Sequence, residues 1–474
     1  MANRWLEESR SESALIARPP VRRTATREAG VRHRLVISVS RLVLVLAMTL
    51  ACLAVLASVA RPAQAIRRSA TVAALVQEVS AEQSELQQTL NELSGEVPAT
   101  VGGAQYIFLA RFCWSETAID NAAQYVYEHL VADGLDAVRY EDYSASVSGR
   151  NVVGEIRGAT RPNEIVVICA HFDDKSSTSR APGADDNASG CAALLWMARH
   201  FAGHTFARTI RFVFVDGEEA GYLGSHAYAT AARQADEKLI AVVSADMFGR
   251  NGAGTNMVAL HTRRLAGLRA AQQDLWMAKQ YLAAVSTYGV PKLKPRVISL
   301  GLEWSDNKSF WAQGYGAIGL IEDQPFDNPY LHTAGDTVAH LTWPYYVHVT
   351  EGLVAAAAHL AYIDGMLPSD RIFVSGLAIK GGTTSAGRRV RATARVRDVS
   401  FTTVLGATVR GRFTGATSRR VSGITDAAGR VQFLSPTCPR GGVWTFTVTG
   451  VSKRGWLYDK ALNARTWVRL RYPR

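Results

Sequence analysis

Two adjacent carboxylates, Asp185 and Asp186, stand in the stretch APGADDNASG (residues 181–190), between turn formers and directly before the apolar run CAALLWMARHF. That run reads as a buried helix, and an acidic pair at its mouth is costly unless something cationic neutralises it. Two chemistries fit. Asp and Asn at a helix start accept orphan backbone N–H bonds and suit the positive end of the helix dipole. The alternative is a metal ion, held by carboxylates together with imidazoles.

Further chemistry-bearing residues follow apolar runs in the same manner. EIVVICA leads into HFDD, with His171 and Asp173; TIRFVFV into DGEEAG, with Glu218 and Glu219; LIAVVSA into DMFG, with Asp246. Each has a plain structural reading. His171 could be a satisfied histidine at a strand end, Asp173 a turn residue, and Glu218 and Glu219 a solvated helix start. Asp246 could cap a strand, and His332 in YLHTAGDT could be an ordinary loop histidine. Spacing argues for more, because positions i and i+2 of extended chain point the same way. Asp173 is therefore placed to fix a ligating His171 imidazole from behind. The joint occurrence of these groups at strand ends lifts the Asp pair above capping.

The runs that carry these residues define the elements that position them. Continuous apolar runs alternating with helix-like segments predict an α/β domain with a mostly parallel sheet covered by helices on both faces. Such sheets bind ligands outside the carboxyl ends of their strands. Helix-like TAIDNAAQYVYEHLVADG precedes a polar loop and the strand-like NVVGEIRG, while GSHAYATAARQA is a later helix and AIGLIE a later strand. The segment 71–93 has helical spacing and leads into this domain or forms a short stalk.

Taken together, HFD, PGADDNASG, DGEEAGYLGS, DMFG and HTAGDT, in this order within residues 66–366, resemble the di-zinc exopeptidases of metallopeptidase family 28, bacterial aminopeptidases in particular. The resemblance implies a zinc exopeptidase fold with two zinc ions per chain. Asp185 would bridge them, His171 and Asp246 would complete one site, and Glu219 and His332 the other. It further implies that Asp173 orients His171, that Asp186 supports the loop, and that Glu218 is the general base rather than a ligand. A hydroxide shared between the zincs would attack the scissile carbonyl, with Glu218 passing the water's proton to the leaving amine. The implied substrates are peptides with a free N-terminus; carboxypeptidase specificity on the same scaffold stays open. SDN (305–307) departs from a family segment that often has His where Asn307 stands, which bears on the substrate pocket. Tyr330 is a candidate for stabilising the oxyanion, with packing its plainer role.

Two other functions fit such a scaffold. A glutaminyl cyclase uses a similar fold with one functional zinc; GADDNASG and the intact second ligand set argue against it. A catalytically dead binding protein would lack ligands or base, and none is missing here.

The rest of the 474 residues, 47% hydrophobic and 20% charged overall, divides by charge. Residues 1–68 carry a net +8, residues 371–474 a net +17, and the middle a net −13. Residues 1–34 read as a basic cytoplasmic tail and 35–65 as a transmembrane anchor or signal segment. Its uncharged run LVLVLAMTLACLAVLASVA (42–60) approaches the ~20 residues needed to span a bilayer. AQA (63–65) resembles a signal cleavage site, yet the long run and tail favour an uncleaved anchor. Either way the remainder is expected outside the cell, membrane-bound or secreted. After residue 370, VRATARVRD alternates Val390, Ala392, Ala394 and Val396 with Arg391, Thr393, Arg395 and Arg397, a half-buried strand. Short strands continue to the end, predicting a β-sandwich over 371–474 that resembles immunoglobulin-like accessory domains of secreted bacterial proteases. Its charge suits a solvated face or an anionic membrane or cell-wall contact. No aromatic-studded platform for nucleic acid is present. Cys169 and Cys191 read as buried thiols, and the sequence leaves a Cys113–Cys438 bridge undecided.

Overall fold

A computed structural model of the chain describes residue 66 and residues 68–472, apart from 265–268, 291, 302, 365–370, 399–401 and 455. The basic tail, the hydrophobic run with Cys52, and the AQA tripeptide lie outside the described residues. Among the described residues, no helix is long and apolar enough to cross a membrane.

The chain enters the domain through α1 (Ala70–Ala81) and α2 (Gln83–Leu93). Val72, Leu75, Val76 and Val79 bury one face of α1, and Leu86, Leu90 and Leu93 one face of α2. This spacing is an apolar stripe of helical period, so the segment joins the core and is not a free stalk. A small hairpin, β1 (Ala99–Val101) and β2 (Ala104–Tyr106), precedes α3 (Glu116–Ala132), β3 (Ala137–Ser144), β4 (Ser148–Ile156) and β5 (Arg161–His171). There follow α4 (Ser189–Ala202), β6 (Arg208–Val215), α5 (Leu223–Gln234), β7 (Lys238–Ala245) and β8 (Met257–His261). Next come α6 (Arg269–Tyr288), β9 (Lys294–Ile298), α7 (Asn307–Ala312), β10 (Ile318–Glu322) and α8 (Trp343–Ala361).

Eight strands make one sheet in the order β3-β4-β6-β5-β7-β10-β8-β9. Its centre, β6-β5-β7-β10, is parallel. Antiparallel pairings border it, β3 with β4 and β4 with β6 on one side and β8 with β10 on the other. The segment read as a polar loop before β4 is thus an edge strand, where side chains need not be apolar. Apolar runs in the central strands reflect burial on both faces. Val166, Ile168 and Ala170 of β5 enter a core with Leu194, Met197 and Leu353 from the helices, while Val167 and Cys169 enter a second core with Tyr228, Ala229 and Phe310.

The C-terminal part contains two four-stranded sheets. Their strands are β11 (Arg371–Thr384), β12 (Gly387–Asp398), β13 (Thr408–Gly415), β14 (Arg419–Ile424), β15 (Arg430–Leu434), β16 (Gly442–Ser452), β17 (Leu457–Tyr458) and β18 (Trp467–Tyr472). The orders are β15-β12-β11-β17 and β14-β13-β16-β18. Between them, Val390, Ala392, Ala394 and Val396 meet Phe413, Trp444 and Phe446 in one core, the alternation of a β-sandwich. The four described cysteines are free, including Cys113 and Cys438.

Candidate metal centre

The site is assembled at the carboxyl ends of β5, β6 and β7. His171 is the last residue of β5 and is buried, with Phe172 beside it fully packed in the core. Asp173 is also buried. Its Oδ1 lies 3.4 Å from His171 Nδ1, and its two oxygens accept the backbone N–H groups of Glu218 and Glu219 at 3.1 Å each. One carboxylate therefore holds the imidazole and ties the loop after β5 to the loop after β6.

A second carboxylate fixes the other two loops. Asp336, in HTAGDT, accepts the N–H of Asp185 and of Asp186 at 3.0 Å each. A buried arginine, Arg111, adds to this clasp. Its backbone N–H donates to Asp174 at 2.8 Å, and its guanidinium donates to Phe172 O, Pro182 O and Gly183 O, and to Leu93 O. Gly183 has φ 51°, and a Cβ there would meet Asp186 O at 2.6 Å and Arg111 Nη2 at 2.7 Å, so glycine is required. Asn187 donates to Ala245 O at 3.0 Å and accepts from Gly190 N at 2.9 Å, seating the start of α4 on the end of β7.

Within this frame the ligand atoms of His171, Asp186 and Asp246 lie within 4.8 Å of one another, as do those of Asp186, Glu219 and His332. Asp186 belongs to both groups. Its Oδ1 is 3.2 Å from His171 Nε2 and its Oδ2 is 3.2 Å from His332 Nε2. Asp246 Oδ1 is 3.3 Å from His171 Nε2, and Glu219 Oε1 is 2.9 Å from His332 Nε2.

This corrects the assignment of Asp185 as the shared carboxylate. Asp185 turns away from the imidazoles, where its Oδ1 accepts Gly249 N at 2.8 Å and its Oδ2 accepts Asn328 Nδ2 at 3.1 Å. The cause is local backbone. Asp186 and Asn187 leave helical geometry, at φ −112°, ψ 88° and φ −136°, ψ 45°, so neighbouring carboxylates diverge and only the second faces the site. The structure brings the other expected residues together: His171, Asp173, Glu219, Asp246 and His332 converge, and Glu218 lines the same cavity. Tyr330 does not line it; its ring stacks on His340 at 3.7 Å and 16°, a packing role.

Electrostatics show how strongly this cluster calls for positive charge. Burial by itself would depress His171, yet Asp246, Asp173 and Asp186 push its pKa well above the ordinary imidazole value. Hydrogen bonds to Asp186 and Glu219 push His332 up to about 10. Burial raises Glu219 to about 7, reinforced by Asp186 and opposed by His332. Burial drives Glu218 well above the usual carboxylate range, with His171 opposing and Asp306, Asp246 and Glu219 adding. Two imidazoles and three carboxylates converging in a mostly buried space are the donor set that a divalent cation of zinc's type accepts. Where a cation binds, it takes over the role that these imidazole protons fill.

The cavity above the cluster, about 270 Å³, is walled by Met247, Trp304, Ile321, Phe326 and Leu331. Trp304 and Phe326 pack edge to face at 4.8 Å. Sequence reasoning missed this wall, whose residues come from strand β10 and from separate connecting segments with no common spacing. It also passed over Asp306, fully buried under the site with neither carboxylate oxygen hydrogen-bonded. Its neighbour Asn307, where the resembled family often has His, is fully buried too.

The fold is that of the zinc exopeptidases, and the donor set suits zinc. Residues 151–357 match the model of Peptidase family M28. The leucine aminopeptidase 1 of Arthroderma otae is 27% identical over 327 residues, covering 64% of this chain and 82% of that protein. A probable leucine aminopeptidase 1 of Trichophyton verrucosum is 30% identical over 224 residues, covering 44% and 58%. Among solved structures, the LapA aminopeptidase of Legionella pneumophila superposes with TM-score 0.51 at 23% identity, over 64% of this chain and 76% of that one. The glutaminyl cyclase of Macrostomum lignano also reaches TM-score 0.51, at 17% identity, over 65% and 97%. The fold is common to both, so the choice between those activities falls to the site.

Proposed function

We propose that this protein is an exported di-zinc aminopeptidase that removes N-terminal residues from peptides. The observation that carries the reading is the place of Asp186 between His171 with Asp246 and Glu219 with His332, two overlapping ligand sets in which one carboxylate serves both. Zinc ions held there would polarise the scissile carbonyl and make a water more acidic. Asp173 fixes the His171 ring, and through the N–H groups of Glu218 and Glu219 it also sets their backbone. Glu218, whose carboxyl burial holds well above the usual carboxylate range, is suited to take a proton from water and hand it to the departing amine. The carboxylates on the cavity floor attract a free α-ammonium group, and the apolar wall suits a large apolar first side chain. The leucine aminopeptidase relatives agree with that preference.

Residues 1–65 are proposed to deliver the domain outside the cell, as a membrane anchor or a cleaved signal. The sandwich is proposed to contact an anionic envelope surface. Its exposed Arg412 lies opposite exposed Arg420 across β13 and β14, and exposed Arg469 and Arg471 follow on β18. Like charges facing one another across strands destabilise a sheet, and a polyanion relieves this.

The test uses the full-length protein, measuring bound zinc and hydrolysis of aminoacyl-anilides beside a Glu218→Gln variant. About two zincs per chain, release of the N-terminal residue, and a variant that keeps metal but loses about 10² to 10⁴ of its rate establish the reading. Cyclisation of N-terminal Gln with one zinc would replace it by the cyclase.

A further inference from the structure

Lys175 follows the HFDD strand end and lines the same cavity as Glu218, Glu219 and His332. Its Nζ lies 3.7 Å from Glu219 Oε2, with its side chain 43% exposed. Among the described residues lining the cavity it is the one lysine or arginine; the remaining charged ones are Asp186, Glu218, Glu219, Asp246 and His332. Neither the ligand sets nor the proton transfer uses an ammonium group there.

We infer that Lys175 is a specificity residue that pairs with the C-terminal carboxylate of a dipeptide, making the shortest peptides the preferred substrates. This rests on the aminopeptidase reading of the site. In a dipeptide the free carboxylate is only three bonds from the scissile carbonyl carbon, so it falls within about 4 Å of the reacting centre. Lys175, with Nζ 3.7 Å from Glu219 Oε2, stands beside the ligand cluster where that carboxylate would arrive. Each added residue moves the carboxylate outward by up to about 3.5 Å and leaves a neutral amide in its place. When Glu219 holds a divalent cation, its charge is engaged and the Lys175 ammonium faces the cavity. A cavity of about 270 Å³ lies at the small end of ligand sites and suits one or two residues.

The experiment compares kcat/KM of the zinc-loaded full-length protein on Leu-Leu, Leu-Leu-amide and N-acetyl-Leu-Leu, with bound zinc counted in every variant. The wild type is expected to favour the free acid over the amide about tenfold. Lys175→Gln should bring this ratio near one at unchanged zinc content, and Lys175→Arg should retain it. The inference is overturned if the wild-type ratio is near one, or if Lys175→Gln lowers zinc content and leaves the ratio unchanged. In that second case the lysine only neutralises Glu219. Failure to hydrolyse either unblocked substrate defeats the peptidase reading itself. Cleavage of the acetylated dipeptide with the same dependence on Lys175 supports the carboxylate contact while showing that the enzyme recognises the C-terminal end.

Discussion

Replacing Asp185 and Asp186 separately by Asn distinguishes two neighbours that differ by one position and by everything they touch. Asp186 offers one oxygen to each ligand set, 3.2 Å from His171 Nε2 and 3.2 Å from His332 Nε2. Asn keeps the shape and removes the charge. A unit charge about 4 Å from another is worth about 4 kcal/mol at an effective dielectric near 20, more against a divalent ion. At about 1.4 kcal/mol per factor of ten, zinc binding should weaken by about a thousandfold or more. Asp185 is different. Burial first, then Asp336, pushes its carboxyl well above the ordinary range, so Asn replaces a group whose charge is already disfavoured. What Asp185→Asn loses is the match to two donors, Gly249 N at 2.8 Å and Asn328 Nδ2 at 3.1 Å. That should cost about 1 to 3 kcal/mol of stability, with zinc affinity weakened by about 10- to 100-fold at most, well short of the loss in Asp186→Asn. Competition against a chelator gives the affinities, and denaturant titration gives the stabilities. Zinc lost from Asp185→Asn and kept by Asp186→Asn would refute the assignment of the shared carboxylate.

Three further outcomes follow from other parts of the molecule. Arg111→Met should lower stability by about 3 to 5 kcal/mol, since it strands buried Asp174 3.3 Å from where a cation stood; denaturant titration of the zinc-loaded protein measures it, and a loss below about 1 kcal/mol contradicts the clasp. His359, buried against Tyr288 with Nε2 2.7 Å from the phenol oxygen, is lowered by burial from 6.5 to about 4. The unfolded chain therefore binds a proton that the folded one refuses, so stability holds above about pH 6.5 and falls between there and about pH 4, by about 3 kcal/mol; His359→Gln should flatten that part of the stability–pH curve relative to wild type. Sedimentation with phosphatidylglycerol vesicles should show binding that weakens steeply from about 50 to 200 mM salt, and Arg412→Ser with Arg420→Ser should reduce both affinity and salt slope. A salt-independent association would argue against an electrostatic contact.

Much of this site is legible in sequence because its parts obey short-range rules. His171 and Asp173 are two residues apart at the end of an apolar strand, and a strand end dictates where such side chains go. Val390 to Val396 announce a sandwich strand by simple alternation. Legibility fails where a side chain's direction depends on partners far along the chain. Nothing within APGADDNASG reveals that Asp336 accepts the N–H groups of both Asp185 and Asp186, or that non-helical backbone at Asp186 and Asn187 makes the two carboxylates diverge. A capping argument treats them as equivalent. The edge strand β3 escaped for a related reason. With Tyr140, Glu141 and Asp142 on a strand paired along one side only, burial imposes no apolar period, and the sequence reads as loop. Lys175 is the clearest case, since a half-exposed lysine after a turn looks like a solubilising residue. Only its approach to Glu219, contributed by the loop after a different strand, gives its charge something to act on.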